Sequence, residues 1–398
     1  MKLPQLLSLD RTVGGVMIFF LDHVAKALGK TLNRDHTLTP KGDILVVKML
    51  GGGSLIMAMP ALLGIRRAYP QYKIRLFTTK AVRPFAESIG VFDTIHVLDQ
   101  RSLPRMVLSG LLSLLKCIGH DTVLDLEVYS NLSTVFSLFT FARNRLGFFF
   151  EESGYRQRLH THKIFFHPSS PIFAHYDRLA DLIGAPIVPM AECAAHLRRT
   201  IALTPGKNPD LSRAIAIGSG CSDLSATVRK LTPEQWANNV FAHHADKTQP
   251  VVFLGADSDR EEADAIIQAM QKAGVVWQGN VRNLCGTMPL VDSLRLLAAC
   301  DSFWGIDSSL MHYARLFGLK IRAFFGPTDP ATRLRPIPGL QEDVVYRKTL
   351  CSPCVHVASW PPCQGQNLCM QWLFDTVGDD ATKHQAEWLP MVTDCRRT

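Results

Sequence analysis

Apolar strands alternate with helices along most of the chain, and this alternation predicts an α/β fold built on parallel sheets. Predicted strands in the first half, each followed by a predicted helix, are 44–48, 73–78, 94–98 and 122–126. A second succession has strands at 215–218, 251–254 and 321–325 and helices at 233–244, 260–273 and 290–299. A chain of 398 residues is long enough for two such domains, which we expect to enclose a cleft.

Domain boundaries follow from the same pattern. An amphipathic segment at 1–42 precedes a first domain at 43–200 and a second domain at 201–398, which carries a cysteine-rich insertion at 351–369. We place the junction near residues 185–210, because the stretch 204–209 contains Pro and Gly. The final stretch, 373–389 with Trp388, predicts a partly helical segment.

The charge indicates the class of partner. A formal net charge of +8 favours an anion: a nucleotide diphosphate, a phosphorylated glycolipid, a membrane surface or nucleic acid. No aromatic and basic motif of a nucleic-acid-binding module occurs, so we expect no nucleic-acid partner.

Residues 3–32 combine many apolar side chains with Lys26, Lys30 and, just beyond, Arg34. This pattern is typical of a helix that lies on an anionic bilayer, and equally of a helix packed on the protein's own core. The longest apolar run, Val13–Leu21, is far shorter than the roughly 20 residues of a membrane span. No small-residue cleavage site follows it, so neither a transmembrane helix nor a secretory signal is predicted.

A polar turn at Asp307, Ser308 and Ser309 opens a helix that carries His312. The free amides of such a helix start, with the helix dipole, suit an anion such as a diphosphate. A second turn, Gly326–Pro330, follows the strand at 321–325 and is expected nearby, because ligands collect at the carboxyl ends of strands. The alternative without a ligand is a capped helix followed by a tight turn.

A glycine-rich loop, Gly51 to Ser54, follows the strand that ends at Lys48. Its bare backbone would let a ligand approach closely. It is neither a Walker loop nor a full dinucleotide fingerprint. A ligand contact and a simple tight turn therefore both remain open.

Motifs spread in order over residues 43–375 carry a resemblance to a known family. They are Ile44–Lys48, Gly53-Ser54 before Pro60, Arg66–Pro70, 121–127, 175–180, Lys230–Trp236, Leu254–Asp259, Cys285-Gly286, Gly305–His312 and Phe325–Pro330. Together they resemble glycosyltransferase family 9, the ADP-heptose lipopolysaccharide heptosyltransferases and their relatives. The order of the motifs makes the resemblance specific, although no single motif does.

The resemblance implies a GT-B fold of two Rossmann-like domains, with the acceptor bound mainly by the first and the nucleotide sugar mainly by the second. It implies an inverting glycosyltransferase that needs no metal for catalysis. The enzyme would move a sugar, with heptose as one candidate, from a nucleotide diphosphate sugar to a lipopolysaccharide or other cell-envelope acceptor. It would be cytoplasmic and peripheral on the inner face of the bacterial cytoplasmic membrane.

The resemblance also assigns residues. Donor binding falls to positions that match the family's glycine turn, basic position and diphosphate loop: Gly218, Ser219, Arg229, Asp307, Ser308, Ser309, Leu310 and His312. Lys48, Gly52 and Gly53 fall on the acceptor side. For His312 the alternative is a buried structural histidine.

One position departs from the family. Its heptosyltransferases carry a Gly-Asp pair after the first strand, with the Asp as proposed base, whereas Gly53 is followed here by Ser54. An unassisted serine hydroxyl has too high a pKa to act as a base near neutral pH. Glu127 could be the base instead, or Ser54 could position an acceptor whose own anionic group helps remove the proton. The protein could also be a non-catalytic nucleotide or glycolipid binder, or a sugar-nucleotide epimerase.

Four of the ten cysteines are clustered: Cys351, Cys354, Cys363 and Cys369. A close first pair followed by a returning pair is the spacing of a tetrathiolate site, which favours structural zinc, with iron as the alternative. A hairpin with free or disulfide-bonded cysteines is the reading without a metal. The other six are scattered, as buried thiols of a reduced cytosolic protein would be.

Overall fold

The computed structural model describes residues 3–150, 159–203, 211–221, 226–355 and 361–375. The chain divides into two compact units, Met1–Leu203 and Thr204–Thr398. The stretch 204–209 and the predicted C-terminal segment beyond residue 375, with Trp388, lie outside the described residues.

The first unit contains a six-stranded parallel sheet in the order β3-β2-β1-β4-β5-β6. Its strands are β1 (Ile44–Lys48), β2 (Ile74–Thr79), β3 (Thr94–Leu98), β4 (Thr122–Asp125), β5 (Asn144–Phe149) and β6 (His162–Phe165). Its helices are α1 (Leu3–Leu9), α2 (Gly15–Leu32), α3 (Gly52–Ala68), α4 (Arg83–Ile89), α5 (Leu103–Cys117), α6 (Asn131–Phe139), α7 (Ile172–Leu182) and α8 (Met190–Thr200). A π-helical turn at Asp10–Gly14 joins α1 to α2.

The strand order decides which helices share a face of this sheet. Helices α3 and α4 lead from β1 outward to β3, whereas α5 and α6 lead back toward β5. Because parallel crossovers are right-handed, the two pairs cover opposite faces. On the face of α5 and α6, Phe77 stacks on Phe136 with ring centroids 3.9 Å apart, and Cys117 belongs to the same apolar cluster.

The N-terminal helix packs on α6. Ile18 is fully buried against Val135, Leu138 and Leu159, and Asp10 accepts hydrogen bonds from the amides of residues 131 and 132 at the start of α6. By length and composition alone, Asp10–Leu32 is a helix that could cross a membrane, although the sequence analysis predicted no transmembrane helix. The prediction was based on the apolar run Val13–Leu21, and the helix extends beyond this run at both ends.

The second unit repeats the topology, with its six parallel strands in the order β12-β11-β10-β7-β8-β9. The strands are β7 (Ile215–Gly218), β8 (Val251–Phe253), β9 (Val281–Asn283), β10 (Ser302–Ile306), β11 (Lys320–Phe325) and β12 (Glu342–Tyr346). The helices are α9 (Ala226–Arg229), α10 (Pro233–Gln235), α11 (Arg260–Lys272), α12 (Leu290–Ala299), α13 (Ser309–Phe317), α14 (Pro330–Arg333) and α15 (Leu368–Gln371). A π-helical segment, Trp236–Phe241, continues α10, and a 3₁₀ turn, Asp257–Asp259, precedes α11.

The core of the second unit is aromatic. Trp236 and Phe241 pack with Phe253, Trp304 and Phe324 in one buried cluster. Trp236 and Phe324 pack edge to face with ring centroids 5.4 Å apart. This packing fixes the segment that follows β7 against the strands on which the candidate site stands.

The structure corrects the sequence prediction at one place near the site. Residues 52–54 were predicted to lie in a loop, but α3 begins at Gly52, so that Gly52, Gly53 and Ser54 form its first turn. Only Gly51 lies outside the helix, and its φ of 77° is in the left-handed region, which favours glycine.

Candidate functional site

Each unit has one topological switch point, where the order of the strands reverses. The reversal falls between β1 and β4 in the first unit and between β7 and β10 in the second. In open α/β sheets, ligands bind at the carboxyl ends of the strands at such points. The sequence-predicted residues Lys48 and Glu127 lie at the first switch point, and Gly218 and Asp307 lie at the second.

Helix α13 begins directly after β10, at the second switch point. Ser308 is its N-cap residue, has extended backbone angles and makes no side-chain capping hydrogen bond. Ser308 Oγ is buried and has no hydrogen-bond partner among the residues that the structure describes. Since Ser309 and Leu310 form the first turn of a nine-residue helix, this end can offer backbone amides and a hydroxyl to an anion.

Asp307 and Arg229 form an ion pair beside this helix start. Arg229 Nη1 lies 3.3 Å from Asp307 Oδ2 and donates to the Asp307 carbonyl oxygen at 3.3 Å. Burial by itself would raise the pKa of Asp307, but the charges of Arg229 and Arg333, and of His312 once it is protonated in acid, lower it below its usual range. Asp307 is therefore ionised near neutral pH. Arg229 and Arg333 bring positive charge close to the helix start, which suits a diphosphate.

His312 lies one turn into α13 and is buried. Its Nε2 atom lies 3.9 Å from Asp307 Oδ1. Burial lowers the pKa of His312 to about 4, because Asp307 offsets only part of the desolvation and the neighbouring arginines add to it. The imidazole is therefore neutral at physiological pH, so it can donate or accept a hydrogen bond but brings no charge to the site.

The glycine turn after β7 is required by its neighbours. A Cβ atom on Gly218 would lie 2.6 Å from the Phe303 ring, and one on Gly220 would lie 2.1 Å from Asp259 Oδ1. Ser219, between them, is buried. Close packing alone is enough to explain why glycine occupies positions 218 and 220. Contact of Gly218 and Ser219 with the donor stays a prediction.

The turn at Gly326–Pro330 carries residues that sequence reasoning did not select. It leads into α14, whose last residue, Arg333, acts electrostatically on both Asp307 and His312. Thr328, in the turn itself, is buried at the carboxyl end of β11. Thr328 belongs to a motif already quoted for the family resemblance, whereas nothing in the sequence marked Arg333.

The cysteine-rich segment packs on the same turn. Ser352 Oγ donates to the Gly326 carbonyl oxygen, and the amides of Cys354 and Val355 donate to that of Pro327 at 3.1 Å each. On the other side, Asn367 Nδ2 donates to the Lys230 carbonyl oxygen at 2.9 Å. The segment therefore joins the turn after β11 to the chain beside Arg229, and so supports both sides of the site.

The predicted tetrathiolate centre does not form in this arrangement. Among the described residues, which include all four clustered cysteines, no group of three or more Cys, His, Asp or Glu side chains is placed to hold a metal ion. Burial raises the pKa of Cys354 to about 11 and that of Cys369 to about 12, and neighbouring thiols add to both shifts. Cys354 and Cys369 are therefore buried neutral thiols, and the residues as placed do not fit a zinc or iron ion.

The first switch point is occupied by a buried ion pair. Lys48 Nζ lies 2.9 Å from Glu127 Oε1, and the amides of Met49 and Leu50 donate to the same oxygen at 2.7 and 3.0 Å. Burial would lower the pKa of Lys48, but Glu127, Tyr176 and Asp125 outweigh it, so the net shift is upward. Glu127 thus fixes the two residues that follow β1, and this structural contact had no signal in the sequence.

Gly52, Gly53 and Ser54 begin α3 just beyond these residues. A Cβ atom on Gly52 would lie 2.3 Å from the Phe85 ring, so close helix packing requires this glycine. The Ser54 amide donates to the Gly51 carbonyl oxygen at 3.0 Å, and the Ser54 side chain is partly exposed. The roles of Gly53, Ser54 and Glu127 toward an acceptor remain predictions.

Comparison with known proteins agrees with the sequence resemblance. Residues 214–362, all within the second unit, match the sequence model of glycosyltransferase family 9 (heptosyltransferase). Lipopolysaccharide heptosyltransferase 2 of Escherichia coli (strain K12) is 31% identical over 101 residues, which make up 24% of this chain and 28% of that relative. The chain therefore aligns with well under two thirds of this relative's length.

Solved structures extend the likeness to both units. A glycosyl transferase family 9 structure from Veillonella parvula DSM 2008 has a TM-score of 0.58 at 16% identity, covering 78% of this chain and 87% of that one. The E. coli ADP-heptose lps heptosyltransferase II has a TM-score of 0.56 at 19% identity, covering 78% and 92%. The predicted GT-B fold class and the resemblance to glycosyltransferase family 9 are thereby confirmed.

Proposed function

We propose that this protein is an inverting glycosyltransferase that moves a sugar, with heptose as the first candidate, from a nucleotide diphosphate sugar to a lipopolysaccharide-type acceptor. The observation that carries the proposal is the uncapped start of α13 with Asp307, Arg229 and Ser308 at the second switch point. It lies in the unit that matches the family's sequence model. ADP-heptose is the donor to test first, because it appears in the name of a structurally similar enzyme.

Sugar transfer requires a site that stabilises the departing diphosphate and a base for the acceptor hydroxyl. The departing diphosphate carries developing negative charge, which amides at a helix start and nearby cations stabilise. The start of α13, Arg229 and Arg333 supply such groups. The acceptor hydroxyl must also lose a proton to a base. The first unit offers Glu127 for this role, with Ser54 to position the acceptor.

Glu127 is a demanding choice for the base. Three donors already share its Oε1 atom, so a proton taken from the acceptor would compete with them for this oxygen. If it is nonetheless the base, Glu127→Gln should lower kcat by about 100-fold or more while ADP binding is kept. Sugar transfer at the normal rate by this variant would exclude Glu127 and leave an anionic group of the acceptor to remove the proton.

Titration calorimetry tests the donor site. We expect ADP to bind more tightly than UDP or GDP. If none of the three binds, the assignment of the donor site to the second unit is wrong. Arg229→Lys keeps the positive charge but loses the planar geometry of the guanidinium, and should weaken ADP binding about tenfold. Arg213→Lys is the matched control, because Arg213 lies just before β7, at the opposite end of the strand, in an exposed pair with Asp246.

Catalysis without a metal and inversion are part of the proposal. Transfer should continue at the same rate in EDTA, and the product should have the anomeric configuration opposite to that of the donor. Both are read from one assay, in which the product is followed by NMR. Loss of transfer in EDTA, restored by a divalent cation, would contradict the proposed mechanism.

A non-catalytic nucleotide or glycolipid binder is the second candidate, and the observation that favours it is Ser54. If wild-type protein binds ADP but transfers no sugar from any nucleotide sugar to lipopolysaccharide acceptors, this second function replaces the first. An epimerase of the same fold would convert the donor without any acceptor, which product analysis detects.

Peripheral attachment to the inner face of the cytoplasmic membrane completes the proposal. The support is the net charge of +8 and the apolar helix at Asp10–Leu32, together with the lipid-linked nature of the proposed acceptor. Cell fractionation should place the protein in the cytoplasm and on the membrane, and high salt should release the bound part.

A further inference from the structure

Helix α5 exposes an unusually apolar face. Seven large apolar side chains on α5 and the residue that ends it are 46–67% exposed: Leu103, Val107, Leu108, Leu111, Leu112, Leu115 and Ile118. At 100° per residue they cover one continuous half of the helix surface. The opposite side packs on the sheet through Met106, Ser113 and Cys117. A large apolar helix face is normally covered by another molecule or element. The exposed half of α5 is therefore suited to contact with another apolar surface.

A second apolar face lies on the same side of the sheet. Helices α5 and α6 cover one face of the first sheet, as Cys117 and Phe136 in one cluster show. Helix α2 packs on α6 and turns Val16, Phe19 and Phe20 outward, each 60–65% exposed. Helix α2 therefore packs on a helix that covers the same face of the sheet as α5.

The charged side chains on these two helices are mostly basic, and Asp22 of α2 is the acidic exception. Helix α5 has no Asp or Glu, and its exposed Arg105 and Lys116 lie at the border of the apolar half. On α2, Lys26 and Lys30 are exposed as well. None of these four cations lies within 4.0 Å of a carboxylate oxygen among the residues that the structure describes. Basic side chains bordering an apolar face are typical of helices that lie in the surface of an anionic bilayer.

We propose that the outward face of α5, together with that of α2, docks this protein on an anionic lipid bilayer. The two helices lie in the interface and do not cross it: α5 has 15 residues, about 22 Å of helix, against a hydrocarbon core of about 30 Å. Helix α2 holds Ile18 in the core of the first unit, and Asp10 caps α6. The proposal rests on the peripheral membrane attachment in the proposed function and deepens it by naming the helix faces that make the contact.

A second copy of the chain is the other possible occupant, and the charges argue against it. A twofold contact would place this face against itself, so that the Arg105 and Lys116 borders would meet each other or lie close by. Like charges at an interface oppose association. Anionic headgroups would instead neutralise the same border.

Vesicle flotation tests the proposal with the full-length protein. The vesicles contain three parts phosphatidylethanolamine to one part phosphatidylglycerol, and phosphatidylcholine vesicles serve for comparison. We expect binding to the anionic vesicles that weakens as salt is raised. Leu111→Gln with Leu115→Gln should lower the partition coefficient about tenfold or more, because each loses apolar contact with lipid. Val276→Gln with Leu350→Gln, at two exposed apolar residues of the second unit, should leave it unchanged.

Two further variants separate the helices and the charges. Arg105→Gln with Lys116→Gln should weaken binding to anionic vesicles about tenfold or more and leave the weak binding to phosphatidylcholine unchanged. Phe19→Gln with Phe20→Gln should weaken binding through α2. If this α2 variant abolishes binding while the α5 leucine variant binds as wild type, α5 is not a docking helix and the proposal is overturned.

The oligomeric state and nucleotide binding complete the test. If wild type is dimeric in light scattering, and the α5 leucine variant is monomeric with unchanged vesicle binding, a second copy covers the face and the proposal fails. Unchanged circular dichroism and an unchanged unfolding midpoint exclude misfolding of the variants. ADP titration of the same proteins separates the two ideas. Vesicle binding without ADP binding would retain the docking surface and reject the donor assignment. ADP binding without vesicle binding would retain the donor assignment and reject both the docking surface and the proposed membrane attachment.

Discussion

Two buried carboxylates, Glu127 and Asp307, stand at the switch points of the two units, and each is paired with a cation. Lys48 pairs with Glu127 from 79 residues away, and Arg229 with Asp307 from 78. Sequence analysis selected all four residues, but through motifs, and no pattern in a single sequence joins positions so far apart. The pairings depend on which strands become neighbours, which only the folded sheets decide.

The pair in the first unit should behave as a coupled unit in stability measurements. Lys48→Met or Glu127→Gln alone leaves a buried group without its partner, and each should lower the free energy of unfolding by roughly 3–5 kcal/mol. The double variant should cost less than the sum, with a coupling energy of about 1–3 kcal/mol in urea denaturation. The same cycle on the exposed pair Arg67–Glu192 should give less than about 1 kcal/mol. Additive effects at Lys48 and Glu127 would contradict the anchoring role of the pair.

His312 should make the protein less stable in mild acid. Its pKa is about 4 in the folded state, against an ordinary value of 6.5. Between these two values the unfolded chain binds a proton that the folded chain does not, so stability falls as pH falls from 6.5 to 4. The fall attributable to His312 is about 3 kcal/mol. Denaturation at several pH values should show a shallower fall for His312→Gln, and His243→Gln, at an exposed histidine, should match wild type.

Among the elements, α3 is held to its neighbours through a helical glycine. A Cβ atom on Gly64 would lie 1.6 Å from the carbonyl oxygen of Pro186, and backbone cannot give way as a flexible side chain can. Gly64→Ala should therefore lower the unfolding midpoint strongly or prevent folding. Gly29→Ala on α2, where a Cβ atom meets nothing within 4 Å, should raise stability by up to about 1 kcal/mol. Equal effects of the two substitutions would show that α3 does not pack as described.

Most strands inside the two sheets could be predicted from the sequence, whereas three of the four edge strands could not. The strands β1, β2, β3, β4, β7, β8 and β11 were expected because they are short apolar runs between turn signals. Two strands inside the sheets, β5 and β10, were also missed. The other missed strands, β6, β9 and β12, are edge strands, and their residues are mostly half-buried or exposed. Their alternating or polar patterns resemble loops, because an edge strand needs burial on fewer sides.

The start of α3 shows a different limit of sequence reasoning. Three successive glycines were taken for a loop, since glycine disfavours a helix. Tertiary packing outweighs this preference: Gly52 is buried against Phe85, and only a residue without a side chain fits there.

The cysteine-rich segment is a similar case. Its spacing predicted a metal centre, but its described contacts fix the turn at Gly326 and Pro327.

For the whole molecule, the repeated topology divides the proposed work between the units. Each sheet, numbered from its own first strand, has the order 3-2-1-4-5-6 typical of dinucleotide-binding folds. The switch points nevertheless differ in chemistry. In the second unit a helix start and two arginines are suited to an anion, whereas in the first unit a lysine is already neutralised by Glu127. An anionic donor should therefore select the second unit.

Hydrogen exchange measured by mass spectrometry tests this division directly. Saturating ADP should slow exchange in peptides covering 226–230 and 305–315, because ligand binding stabilises the segments it contacts. Peptides covering 44–56 should be unaffected, since Asp307, Arg229 and His312 belong to the second unit and contact one another there. At 100-fold excess over the dissociation constant, ADP should stabilise its site by about 2.7 kcal/mol. Arg229→Lys should lose most of this protection at equal ADP concentration and Arg213→Lys should keep it. Protection confined to 44–56 would move the nucleotide to the first unit and overturn the assignment of Asp307, Arg229 and the start of α13.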